Sequence, residues 1–143
     1  MLREKIGNNN FKKGIQTYYK KYFNANTTTA NFIAEMEKAS NQNLKPFFAQ
    51  YLTRPDNLKL TGSWTYDDNT KQITVKLQQT QSSGQPFDFP IEIAVYKPDA
   101  ASAEIQKFTM NTLQSEFKIP SATKPSSIVL DPRVVLLSEF DFK

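Results

Sequence analysis

The sequence predicts an α+β chain with its helices first and its strands after. Three observations carry that prediction. Apolar residues follow a helical period from Phe11 to about Leu52, then alternate with polar ones from Leu58 onward. The charge balance changes sign at nearly the same place: residues 1–60 hold ten Lys/Arg against four Asp/Glu, whereas residues 61–143 hold eight against ten. Between the two regimes stands Arg54-Pro55-Asp56-Asn57, a helix-terminating turn cluster. These place a boundary near residue 57, with a helical part over 1–57 and a β part over 58–143.

Residues 1–6 read as the last turns of a helix stopped by Gly7, since glycine takes an end-cap conformation without a steric penalty. Asn8, Asn9 and Asn10 read as a polar turn. From Phe11 the apolar positions are Phe11, Ile15, Tyr18, Tyr19, Tyr22 and Phe23, one helical stripe flanked by Lys12, Lys13, Lys20 and Lys21. Thr27, Thr28 and Thr29 offer a hydroxyl cap for a second helix that turns Phe32, Ile33, Met36 and Ala39 to one side. Ser40-Asn41-Gln42 ends it. A third helix starts near Leu44, with Asn43 as cap, Pro46 in the first turn and Leu44, Phe47, Phe48, Tyr51 and Leu52 on one face. Together these form a helical hairpin segment.

Beyond the boundary the period is two. Leu58, Leu60, Trp64 and Tyr66 alternate with Lys59, Thr61, Ser63 and Thr65, and Asp67-Asp68-Asn69-Thr70 turns the chain. Ile73, Val75 and Leu77 then share a face, and Ser82-Ser83-Gly84 turns it again. Phe87, Phe89, Ile91, Ile93 and Val95 make the next strand, in which Pro90 points to an edge or a bulge. A turn at Lys97-Pro98-Asp99 precedes Ile105 to Met110, then Leu113, Phe117 and Ile119, then Ile128 to Leu130, and finally Val134 to Phe140. About seven short strands at this spacing predict an antiparallel β-sandwich of immunoglobulin-like type.

Composition excludes much chemistry. The chain of 143 residues has no histidine and no cysteine, which removes the commonest general base, the commonest zinc ligands and any thiol nucleophile. No apolar run approaches the ~18 residues of a membrane span. The opening Met1-Leu2-Arg3-Glu4-Lys5 has no apolar signal region, so a soluble chain is expected, cytoplasmic or exported.

Tyr18 and Tyr19 lie on the apolar stripe, which assigns both to packing. The neighbouring lysines suit solvated flanks better than a nucleic-acid groove, because the aromatics are spaced for burial. Asp67-Asp68-Asn69 lacks the downstream glycine and glutamate of an EF-hand loop and reads as a hairpin turn. Glu35 and Glu37 are two apart on a helix and cannot act as a carboxylate pair. Trp64 reads as a core residue. No catalytic, cofactor-binding or metal-ligating residue is assigned.

The order of these pieces carries a family resemblance. Phe11-Lys12-Lys13-Gly14-Ile15 followed by Tyr18 and Tyr22, then Ala34 to Ser40, then Leu44 to Leu52, is similar to the end of the catalytic domain in aminopeptidase N-like zinc metallopeptidases, the gluzincin aminopeptidases. Gly62 to Asp67, Leu77 to Gln81 and Phe89 to Ile93 resemble the opening strands of that family's β-sandwich domain. Asn41 and Asn43 stand where the family often has Gly and Asp, and Tyr51 where Trp is common. The family holds zinc with an H-E-x-x-H helix and a further glutamate; nothing here matches those residues.

The resemblance implies a non-catalytic C-terminal portion of a zinc-dependent aminopeptidase, supporting a catalytic domain that removes N-terminal residues from peptides. Its implied partner is the remainder of that domain. The aromatics of the helices exceed what three short helices hide, so self-association through the stripe of Tyr18, Tyr22, Phe32 and Phe47 is a further expectation. The alternative is an independent β-sandwich binding module for carbohydrate or protein, which an exposed row of aromatics on a sheet face would favour.

Overall fold

A computed structural model describes residues 1–98 and 100–143. Asp99, the last residue of one expected turn, lies outside them. The chain is α+β and divides into two compact units, Met1–Arg54 and Pro55–Lys143.

The first unit holds α1 (Leu2–Ile6), α2 (Asn8–Lys21), α3 (Thr29–Ser40) and α4 (Lys45–Leu52). Gly7, at φ 83°, separates the first two. The three asparagines expected to form a turn are instead the first turn of α2. Asn10 Nδ2 donates to the Ile6 carbonyl at 2.9 Å, satisfying an acceptor that the end of α1 leaves open. Thr28 caps α3, its hydroxyl accepting from Asn31 N at 3.3 Å, and Asn41 ends the helix in the left-handed conformation at φ 53°. At α4 the Leu44 N–H donates to Glu37 Oε1 (2.8 Å) and Lys45 N–H to Asn43 Oδ1 (3.1 Å). The α3 carboxylate thus shares the capping role expected of Asn43.

Ile6, Met36 and Leu44 form the buried centre of this unit, with Leu2, Phe11, Phe32, Ile33 and Phe48 packed on it. Helices α2 and α3 approach closely at Gly14, where a Cβ would stand 2.6 Å from Met36 Sδ. A continuous run of ring contacts joins Tyr22, Tyr18, Phe32, Phe48, Phe47 and Tyr51 at centroid distances of 5.1–6.1 Å. The stripe expected to lie open is therefore half-buried in its own unit.

The second unit holds β1 (Leu58–Asp67), β2 (Gln72–Gln79), β3 (Phe89–Tyr96), β4 (Glu104–Met110), β5 (Gln114–Pro120), β6 (Ser127–Leu130) and β7 (Ser138–Phe142). They form a four-stranded sheet in the order β5-β2-β1-β7 and a three-stranded sheet in the order β4-β3-β6. Every pairing is antiparallel except β1 with β7, which is parallel and so departs from the all-antiparallel expectation. No hairpin dictates the direction of β7: it follows β6 of the other sheet through residues 131–137.

Period-two burial selects one face of each sheet. Leu58, Leu60, Ile73, Val75, Leu77 and Ile119 are buried in the larger sheet, and Phe89, Ile91, Ile93, Val95, Met110, Ile128 and Leu130 in the smaller. Phe108 and Phe117 meet between β4 and β5 at 4.6 Å. Pro90 lies on the central strand of its sheet, but β6 pairs only with Ile93 to Tyr96, so the missing N–H falls where one neighbour is absent. Val134 does not join a strand. It sits at φ 51° and is 86% exposed, because Asp131 folds the 131–136 segment back by accepting Val135 N–H (3.0 Å) and Leu136 N–H (2.7 Å) on its carboxylate.

One buried side chain ties the sheets' connections together. Gln79, at the end of β2, donates to the carbonyls of Phe87 (2.9 Å) and Thr112 (3.0 Å) and accepts from Phe87 N–H (2.7 Å) and Gln81 Nε2 (3.0 Å). Phe87 thereby bonds to a side chain in place of a ladder, and β3 begins two residues later than the alternation predicts.

Replacing Gln79 by Leu keeps the bulk but removes its hydrogen bonds to the backbone of buried Phe87 and to the Thr112 carbonyl, and unmaking a bond to a buried group costs about 1–3 kcal/mol. Urea unfolding of Gln79→Leu is expected to show a loss of about 3 kcal/mol or more. Gly62 is a second sensitive point: a Cβ there would stand 2.4 Å from the Lys76 carbonyl oxygen and 2.6 Å from Leu77 Cδ2. Backbone cannot yield as a side-chain tip can. Gly62→Ala is expected to cost about 1–3 kcal/mol in the same assay.

Candidate functional site

Helix α2 brings cations and aromatics together, and its geometry sorts them. Residues 11, 14, 18 and 22 turn toward α3, at i, i+3, i+7 and i+11. Residues 15 and 19 stand on a different face, at i and i+4, and Phe23 follows just past the end of the helix. Ile15 is 38% exposed, Tyr19 63% and Phe23 58%, and the last two rings meet edge to face at 5.5 Å. The expectation that both tyrosines of the 18–19 pair are packing residues holds for Tyr18 only. The six-residue stripe is wider than one partner helix can cover, and its outer half stays in water.

Of the four lysines on α2, Lys21 is engaged: its Nζ donates to Glu35 Oε1 at 2.5 Å and lies over the Tyr22 ring. Its hydrogen bond to Glu35, then that with Tyr22, holds Lys21 above the usual lysine value. Its stabilising effect is complete at neutral pH and fades only as pH rises through that raised value. Glu35 is buried, whereas Glu37 turns to the Leu44 amide, so the two carboxylates diverge as their spacing requires.

Asp67 Oδ1 accepts from Asn69 N–H at 2.9 Å and Thr70 N–H at 3.4 Å, and these bonds, the first being the larger, lower its pKa. Asp68 pairs with Lys71. This is the hairpin turn that the spacing predicts. Trp64 is half-buried beside Val75, at the rim of the buried face and not at its centre. The larger sheet carries an open concavity of about 550 Å³ lined by Thr61, Ser63, Lys76, Gln78, Gln114 and Glu116 among others. Its lining mixes hydroxyl, amide and charged groups with Leu77 and Gly62, and it holds no aromatic ring.

Two carboxylates organise the smaller sheet. Glu92 receives both Arg133 Nε (2.8 Å) and Nη2 (2.6 Å), and this paired bond is the main reason its pKa is lowered. Asp131 is buried and clamps the following turn. Neither was singled out in the sequence, and nor was Gln79. For Gln79 a sign existed: it continues the buried alternation of Ile73, Val75 and Leu77, and a polar residue on such a face must find partners.

Zinc is the metal that the family resemblance implies, and the residues present do not fit it. The chain has neither histidine nor cysteine. Among the described residues no three acidic side chains converge on one point.

Residues 1–51 match the family model described as the peptidase family M1 domain. Aminopeptidase N of Escherichia coli (strain K12) is 25% identical over 148 residues, covering 98% of this chain. The chain is M1-aminopeptidase-like. It spans 17% of the length of that relative. The crystal structure of Legionella pneumophila aminopeptidase A in complex with aspartic acid shares the fold, with a TM-score of 0.79 at 17% identity over 99% of this chain and 16% of that one. The M1 match ends inside the helical unit, whereas the likeness to aminopeptidase N continues through the strands.

The Glu92–Arg133 pair gives a test in acid. A carboxylate whose folded pKa is lowered stabilises the fold above its unfolded value, about 4.3, and that stability is lost as pH falls below it. In a carboxyl NMR titration Glu92 should protonate below the ordinary glutamate value. Arg133→Gln should move it upward; an unchanged midpoint would show that the pair is not formed in solution.

Proposed function

We propose that this chain is a non-catalytic C-terminal portion of a zinc-dependent aminopeptidase whose parent removes N-terminal residues from peptides. In this reading residues 1–57 are the helical end of the catalytic domain and residues 58–143 are the β-sandwich that follows it. The two sheets, each buried on one face, support an immunoglobulin-like arrangement, with the parallel β1–β7 pairing joining the last strand to the first.

The observation that carries the reading is the likeness to aminopeptidase N over 98% of a chain that lacks every residue type the family's histidine ligands require. Zinc chemistry then belongs to another part of the parent, and none of the residues described above has a catalytic role. The partner is the remainder of the catalytic domain. Exposed Ile15, Tyr19, Phe23 and Leu52 support an apolar helical surface that needs cover. Self-association of the isolated chain through its helices is the competing use of that surface. An independent carbohydrate-binding module draws no support from the ring-free concavity of the larger sheet.

Two measurements test the proposal. The coding sequence upstream of Met1 should encode an H-E-x-x-H motif, and its absence would sink the reading. The purified chain should show no one-to-one zinc uptake by calorimetry and no chelator-sensitive hydrolysis of aminoacyl amides. Either activity would return the metal site to this chain.

A further inference from the structure

The outer face of α2 has a chemistry of its own. Ile15 and Tyr19 on the helix and Phe23, two residues past its end, form an exposed apolar ridge, the last two joined by the Tyr19–Phe23 ring contact. Lys12 stands at its N-terminal end, three residues before Ile15. Lys13 and Lys20, seven apart, run along one flank with Gln16 between them. All three lysines are exposed, and among the described residues Lys21 alone of the α2 lysines has an acidic partner. The surrounding unit sharpens the field: Met1–Arg54 carries nine Lys/Arg against three glutamates, of which Glu35 is buried on Lys21 and Glu37 is bonded to the α4 cap.

From this we propose that the Ile15–Tyr19–Phe23 ridge is a docking surface for an acidic amphipathic helix. An exposed apolar ridge of this length fits the apolar stripe of a helix, and cations on the flank select carboxylates beside that stripe. A second copy of this chain is a poor occupant, because two α2 ridges would bring like-charged lysine flanks together. An anionic lipid surface or a single-stranded RNA would satisfy the charge. Neither needs two rings locked edge to face in a narrow line. The inference concerns the chemistry of the occupant, whichever chain carries it, and stands apart from the zinc and upstream-sequence tests.

The test uses the full 143-residue chain and four probes. These are a synthetic helix with leucines at 3–4-residue spacing and flanking glutamates, the same helix with lysines for glutamates, equimolar phosphatidylglycerol–phosphatidylcholine vesicles, and poly(U). The glutamate helix should bind and weaken with salt, and its amide-shift changes should cluster on residues 12–23. Lys12→Glu with Lys20→Glu should weaken it about tenfold or more. Tyr19→Ser with Phe23→Ser should abolish it while helical circular dichroism is retained. Equal binding of both helices, binding confined to vesicles or poly(U), dimerisation of the chain through residues 12–23, or no binding at all would each overturn the proposal. Because the wild-type shift map is read independently of the variants, misfolding of either double variant would not rescue or condemn it.

Discussion

The buried amide of Gln79 is the constraint around which the β unit is arranged. An amide has two donors and an acceptor with two lone pairs, and here the Phe87 carbonyl, the Thr112 carbonyl, the Phe87 N–H and Gln81 Nε2 take up that capacity. These groups lie where the chain leaves one sheet or enters the other: Gln79 ends β2 of the larger sheet, Phe87 precedes β3 of the smaller, and Thr112 lies between β4 and β5. A hydrophobic residue at 79 would bury as well but would specify nothing about those crossings. The amide is satisfied by one arrangement of the three segments, so it selects the register in which each strand starts. Gln81 extends the clip by donating to the Gln85 carbonyl at 2.6 Å.

The helical unit relies on contact in place of a network. Gly14 lets α2 lie against Met36, and the ring chain from Tyr22 to Tyr51 runs across α2, α3 and α4. Its polar groups serve the ends of helices: Thr28 on α3, Glu37 and Asn43 on α4, Asn10 on the carbonyl left by α1. That division explains which face of α2 stays open. Gly14, Tyr18 and Phe11 face α3, and the half of the stripe at 15, 19 and 23 is rotated too far to follow.

Much of the fold was legible because its causes are local. Gly7, Thr28 and Asn41 mark helix ends by their backbone and capping chemistry, and alternation from Leu58 onward marks the strands. What escaped depends on distant partners. The direction of β7 follows from a crossover that no turn signature encodes. Val134 reads as a strand residue by composition, but Asp131, three positions earlier, captures the amides of Val135 and Leu136 and turns it out to solvent. Asn8 to Asn10 read as a turn because asparagine favours turns, yet the open carbonyl of Ile6 gave Asn10 a better use at the start of a helix. The candidate residues fared similarly: the diverging glutamates and the Asp67 hairpin were readable from spacing, whereas the split of the aromatic stripe needed the position of α3.

These features bear on why a chain without histidine or cysteine should be so tightly specified. A catalytic site tolerates loose surroundings poorly, and the groups that place it need not take part in the chemistry. Here the specifying groups are buried or partly buried: Gln79 across strand connections, Asp131 at a turn, Glu37 on a helix cap, Gly62 under the Lys76 carbonyl. On α2 the exposed chemistry is an apolar ridge with lysines beside it. A firmly specified interior and a patterned outer face on α2 suit the supporting role proposed above, because such an element contributes by holding a surface in place for something else to use.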